Sequence, residues 1–320
     1  MFMHFGFFCS MRSLLCDLAV VLLSMSSADI AARVFLQLGP EDIRVLTAIE
    51  LDMSRHRYVP EGDIPGLGGL AAKQVEHRLR RLHDFGLVYR WSGRYTGYAL
   101  NMAGYDSLAM NALVKAGVLE AFGKPLGVGK ESDVYDALAS GGERVAVKFH
   151  RLGRTSFRQT RRLRGYVGDR RHISWLYQSR LAAEKEFEAL KLVYSCGVSV
   201  PGPIGQNRHV VVMAMIEGDE IYRVSDVSDA EEVLDEILLN VRKTYVDAGV
   251  IHADLSEFNV ILERDDHVLV IDWPQFVRVD HPNAEMLLKR DMQNVLRFFR
   301  RRFKVRRDLQ KALDYVKKKP

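Results

Sequence analysis

Cysteine is scarce: Cys9, Cys16 and Cys196 are the only three in 320 residues, with neither an even count nor a C-x-x-C spacing. That argues against a disulfide framework or a cysteine zinc site and fits a reducing cytoplasm. Internal repeats and low-complexity linkers are absent, as are the G-K-[ST] of a Walker loop and an A-P-E motif. With 48% hydrophobic and 27% charged residues the chain is not a disordered one. Its length exceeds one usual domain.

The one apolar segment needing separate treatment is Met1 to Ser27, which lacks a basic start and is interrupted by Arg12 and Asp17. Residues 1–27 read as an extension outside the native fold, with initiation near Met11 or Met25, rather than as a membrane anchor. Net charge is +5 and the pI about 9.0, an excess that favours polyanionic partners. The charge is clustered, from Arg151 through Arg154, Arg158, Arg161, Arg162, Arg164, Arg170 and Arg171, and again from Arg300 to Lys319.

After the Gly-Pro stop at Pro40, Glu41 and Asp42 open a helix in which Ile43, Leu46 and Ile49 recur at helical spacing. A breaker-rich segment, Pro60 to Gly69, precedes a second helix from Leu70 to Asp84 with Val75, Leu79 and Leu82 inward. Lys73, Gln74, His77, Arg78, Arg80 and Arg81 are then mostly outward, and Gly86 ends the helix. A hairpin from Leu87 to Leu100 follows, turning at Ser92-Gly93 and carrying Arg90, Arg94, Trp91, Tyr95 and Tyr98. This order predicts a winged helix-turn-helix domain over 28–118, closed by a helix from Ala103 to Leu119. Nucleic-acid contacts are expected from Lys73, Gln74, His77, Arg78, Arg81, Arg90 and Arg94, although the aromatics could simply brace the hairpin.

From 119 to 320 the texture changes to short strands and glycine turns, giving an α+β chain overall. Gly127-Val128-Gly129-Lys130-Glu131-Ser132 precedes Val134 and offers backbone N–H groups to a phosphate, with Ser132 where a third glycine would stand. Lys148 lies on the apolar strand Val145-Ala146-Val147-Lys148, where a kinase lysine meets phosphates. Of the acids on the helix from Ser179 to Tyr194, Glu184 and Glu188 share a face with Arg180 and Lys191. Glu186 shares one with Ala182, Ala183, Leu190 and Val193, and is the expected partner of Lys148. The apolar strand Val210 to Ile216 runs into a hinge at Glu217-Gly218, where backbone near Met215 and Glu217 would read adenine.

The strongest constellation is Ile251-His252-Ala253-Asp254-Leu255-Ser256-Glu257-Phe258-Asn259, an H-x-D-x-x-x-x-N spacing, followed by Asp272-Trp273. A two-residue turn at Asp265-Asp266 would set Asn259 opposite Asp272, so that both hold one Mg²⁺, with Mn²⁺ as an alternative. Asp254 would take a proton from an attacking hydroxyl or orient a water. ATP- and Mg-dependent phosphoryl transfer is the resulting expectation.

These motifs, with V-A-V-K-F-H-R-L-G-R-T-S-F-R at Val145 and I-D-W-P-Q at Ile271, resemble the Rio family of atypical serine/threonine protein kinases, in its subfamily with an N-terminal winged helix. The resemblance runs from about Ala28 to the C-terminus and implies a compact two-lobed kinase-like domain. It implies Lys148 and hinge residues for ATP, Asp254 and Asp272 as catalytic groups, and Asn259 with Asp272 for metal. It also implies an Arg-rich loop over His150 to His172, autophosphorylation at Asp272, and ATPase-driven maturation of the small ribosomal subunit and its rRNA in the cytoplasm. The physiological protein substrate stays open. Only about fifty residues follow Asp272, too few for a full peptide-binding lobe. Two other readings are a small-molecule kinase of the aminoglycoside or choline type, which lacks a winged helix, and an ATP-sensing RNA-binding scaffold without turnover.

Overall fold

The computed structural model describes residues 26–152 and 175–318. The chain divides into two compact units after Asn111. Residues 1–25, and with them most of the apolar extension, lie outside the described residues, as does the Arg-rich run from Arg154 to Arg171.

In the first unit, α1 (Ser27–Phe35) starts on a capping box: Ser26 Oγ accepts the Asp29 N–H and Asp29 accepts that of Ser26. Ser26 and Ser27, assigned to the extension from sequence, therefore belong to the fold. The helix α2 (Pro40–Asp52) buries Val45, Leu46, Ala48 and Ile49. The segment read as breakers forms a short strand, β1 (Val59–Pro60), and a five-residue helix, α3 (Ile64–Gly68). Next, α4 (Ala72–Asp84) buries Val75, Leu79 and Leu82 as the periodicity requires. Gly86 ends it at φ +71°, with the Leu87 N–H reaching the Leu82 carbonyl at 3.0 Å.

The wing is β2 (Val88–Ser92) and β3 (Thr96–Leu100), with β1 added on the far side of β3. Ser92 pairs with Thr96, so the turn is the three residues Gly93 to Tyr95 rather than Ser92-Gly93. Gly93 donates its N–H to the Tyr95 carbonyl at 3.2 Å, which closes that longer loop. The helix α5 (Met102–Lys115) follows, ending before the Leu119 expected from sequence because Gly117 turns left-handed at φ +69°.

The second unit opens with an antiparallel sheet of β4 (Ala121–Val128), β5 (Ser132–Leu138), β6 (Arg144–His150), β7 (Pro203–Asn207) and β8 (Val210–Ala214), in the order β4-β5-β6-β8-β7. The helix α6 (Trp175–Ser195) packs Ala182, Ala183, Ala189, Leu190 and Val193 inward. Beyond the hinge come β9 (Gly218–Glu220), α7 (Ala230–Val246), β10 (Val250–Ile251), β11 (Val260–Glu263), β12 (Val268–Val270) and β13 (Val277–Arg278). Gly218 lies so close to β11 that a Cβ there would meet the Leu262 carbonyl oxygen at 2.5 Å, which explains a glycine at the hinge. The helices α8 (Ala284–Arg302) and α9 (Leu309–Lys317) complete the unit, and Leu288, Met292, Val295 and Phe299 line the buried face of α8.

Candidate active site

The site lies where β6, α6, the hinge, and the segments flanking β11 and β12 meet. Lys148 alternates with Val147 and Phe149 on β6, so the strand buries its stem while the ammonium faces α6. Its Nζ lies 2.6 Å from Glu186 Oε1 and 2.7 Å from Asp272 Oδ1. Burial opposes the ammonium's charge, but the Asp272 and Glu186 carboxylates outweigh it and hold Lys148 above the ordinary lysine range. Burial would likewise raise Glu186, yet Lys148 and His150 together bring it down to about 2. Glu186 is thus the helix acid that meets the lysine, while Glu184 pairs on the surface with Arg180 at 2.7 Å.

The second oxygen of Glu186 lies 2.6 Å from Nε2 of buried His150, a neighbour not anticipated from sequence. The Trp273 N–H approaches Glu186 Oε1 at 3.3 Å. One carboxylate therefore ties together β6, α6 and the chain just after Asp272.

The β11–β12 hairpin corrects the sequence reading. Val260 opposes Val270, and the Glu263 N–H reaches the His267 carbonyl at 2.9 Å, so the turn is Arg264 to Asp266 with Asp266 left-handed at φ +63°. A three-residue turn shifts the register by one, and Asn259 opposes Ile271, whose N–H its carbonyl accepts at 3.0 Å. Asp272 is aimed instead by its own backbone, at φ +67°. Asn259 and Asp272 still line the same cleft, of about 510 Å³, as Lys148. That cleft is also lined by Gly127, Val128, Gly129, Ser132, Val134, Glu186 and Met215. Such a size suits a nucleotide-sized ligand. Of the other expected residues, Lys130 and Glu131 sit exposed at the loop tip and Glu217 points outward, 3.6 Å from Arg144.

Asp254 is exposed on the loop before β11. Its carbonyl accepts the Asn259 amide at 2.8 Å, linking the two motif ends. The loop is anchored from below by Asp291 on α8, which accepts the N–H groups of Ala253 at 2.7 Å and Leu255 at 3.2 Å. Burial pushes the Asp291 carboxyl up to about 7, against the pull of those N–H groups and Arg290. Sequence reasoning missed this residue, although a lone acid among Leu288, Met292 and Val295 on one helix face was a visible signal. His252 is buried with its pKa lowered by burial, and its Nε2 lies 2.9 Å from the Ile271 carbonyl.

Arg151, counted from sequence as the first member of the basic cluster, is buried and ion-paired with Asp133 at 2.8 Å. Its N–H also reaches the Glu131 carbonyl at 2.6 Å, tying the glycine loop to the end of β6.

In the first unit, Lys73, Gln74, His77, Arg90 and Arg94 are exposed. Arg78 and Arg81 are not free as expected: their guanidiniums lie 3.3 Å and 2.9 Å from the buried carboxylate of Asp42. Asp42 also caps α2 through the Gly39 N–H, so it draws both arginines inward. Trp91 stacks on Tyr58 at 5.8 Å, and Tyr98 is buried. Trp91 and Tyr98 thus both pack within the first unit.

Two protein-family models match this chain. Residues 133–312 match the RIO domain model and 35–116 match the Rio2 N-terminal model. The chain is 45% identical over 276 residues to the RIO-type serine/threonine-protein kinase Rio2 of Methanocaldococcus jannaschii, covering 83% of this chain and 100% of that one. It is 38% identical to the Dictyostelium discoideum serine/threonine-protein kinase rio2, of whose length it spans about half (51%). A crystal structure of the Rio2 kinase–ADP/Mg²⁺–phosphoaspartate complex from Chaetomium thermophilum superposes with a TM-score of 0.77 at 35% identity, covering 90% of this chain and 89% of that one.

Proposed function

The chain belongs to the RIO kinase family, in the branch carrying the Rio2 N-terminal domain, and we propose that it transfers the terminal phosphoryl group of ATP at the cleft around Lys148. The observation that carries this reading is Lys148 seated between Glu186 and Asp272 at 2.6 Å and 2.7 Å, which joins both lobes of the cleft through one cation. In this role Lys148 neutralises phosphate charge, Glu186 holds it in place, and Gly127 to Ser132 with Val134 cover the phosphates. The hinge backbone near Met215 receives the base.

Asn259 and Asp272 present hard oxygen donors to the same cleft, a set that suits Mg²⁺, with Mn²⁺ also accommodated. When bound, the metal supplies charge neutralisation on the phosphates. Asp254, exposed on the loop before β11, acts as the base or water-orienting group. Asp272 is the group that accepts phosphate in autophosphorylation, a reading supported by the phosphoaspartate in the Chaetomium relative.

The biological role follows as ATPase-driven maturation of the small ribosomal subunit precursor in the cytoplasm. The basic residues Lys73, His77, Arg90 and Arg94 of the 28–118 domain contact rRNA, alongside the 119–320 kinase domain. Support comes from their exposure, from the net charge of +5, and from the family resemblance. Among the described residues no helix is long and apolar enough to cross a membrane.

The test is Asp254→Ala. ATP binding is retained while phosphoryl transfer falls by about 10²–10⁴-fold; unchanged single-turnover rates would remove Asp254 from the mechanism.

A further inference from the structure

Away from the cleft, the first unit carries a group of side chains that the nucleotide chemistry does not use. Asp52 ends α2, His56 follows it one turn later, and Asp63 sits in the turn between β1 and α3. One donor atom from each lies within 4.8 Å of the others. We propose that Asp52, His56 and Asp63 bind one divalent transition-metal ion, of which Zn²⁺ is the representative.

Three observations carry the assignment. The Asp52 side chain is only 7% exposed. Among the described residues its carboxylate accepts no hydrogen bond, and the nearest cation, His56 Nε2, stands at 3.6 Å. A carboxylate so enclosed ordinarily collects donors, as Asp42 and Asp291 do here. Asp63 occupies the cap position of α3, yet its side chain makes no capping hydrogen bond. The Asp52–His56 pair alone would leave Asp63 unexplained, whereas a shared cation accounts for all three.

One imidazole and two carboxylates form a mixed nitrogen and oxygen set, which suits Zn²⁺ or its borderline neighbours better than Mg²⁺. Ligand bonds of about 2.0–2.2 Å require donors no more than about 4.4 Å apart. Asp63 is exposed, so a small rotation of its side chain closes the set, and water completes the coordination. The ion would staple the end of α2 to the β1–α3 turn, fixing the segment that leads into the basic helix α4.

Zinc binding to the full chain, measured by competition with a chromophoric chelator, tests the proposal. The expected result is one equivalent bound by the parent and equally by Asn259→Ala, which keeps the nucleotide cleft out of the count. His56→Ala and Asp63→Asn, both at accessible positions and checked for folding by circular dichroism, should weaken it by about tenfold or more. Binding by these two variants equal to the parent's, loss of binding in Asn259→Ala, or no binding by the parent at micromolar zinc would each overturn the assignment.

Discussion

The carboxylate of Asp291, on the buried face of α8, accepts the N–H of Ala253 at 2.7 Å and so holds a non-glycine residue at φ +63°. A left-handed alanine costs roughly 1–2 kcal/mol. The hydrogen bond offsets that cost and sets the loop that presents Asp254. The same helix sends Asn294 to the Leu255 carbonyl at 3.2 Å, so α8 grips the loop on both sides of Asp254.

Asp291→Asn should lower stability by about 1–3 kcal/mol, since the amide can accept from only one of the two N–H groups well. It should also slow phosphoryl transfer while leaving ATP affinity nearly intact.

A pH dependence accompanies it. With Asp291 raised to about 7 in the fold, the native state keeps a proton that the unfolded chain releases near pH 4. Its contribution is therefore full below about pH 4 and is lost as pH rises through about 7. Urea unfolding of parent and Asp291→Asn at pH 5 and pH 8 should show the parent's advantage shrinking at the higher pH. An equal difference at both would contradict the assignment.

Lys148→Met should destabilise the second unit by about 3–5 kcal/mol, because it strips Glu186, only 1% exposed, of its main counter-charge. The double variant Lys148→Met with Glu186→Gln should recover part of that loss, since no buried charge is then left without its partner. Both should lack turnover. Chemical denaturation checks the first pair of values, and additive losses would show that the two side chains do not form one unit.

RNA binding by the winged-helix residues should fall steeply with salt, with Lys73→Ala or Arg90→Ala each reducing the slope by about one phosphate contact. Neither should change the melting temperature. Arg78→Ala should do the reverse, costing stability through Asp42 with little direct effect on RNA. A stable Arg78→Ala protein with sharply weaker RNA binding would place Arg78 at the interface after all.

Much of this was written locally. The H-x-D-x-x-x-x-N spacing, the apolar strand under Lys148 and the periodicity that turned Glu186 inward each depend on a few neighbouring residues, and helical or strand geometry converts such spacing directly into a face. The same holds for Val75, Leu79 and Leu82 on α4 and for Gly86 at its end.

What sequence alone left undecided depended on pairings between distant segments. A one-residue difference in the Arg264 to Asp266 turn moved Asn259 opposite Ile271, because in a hairpin the length and type of the turn fix which residues face each other. Buried acids drew cations and N–H groups from other elements: Asp42 took Arg78 and Arg81, Asp133 took Arg151, and Asp291 took the backbone of Ala253. Charge counted along the chain cannot show this, since whether an arginine faces water or a buried carboxylate is decided only when the elements pack and desolvation makes an unpaired charge costly.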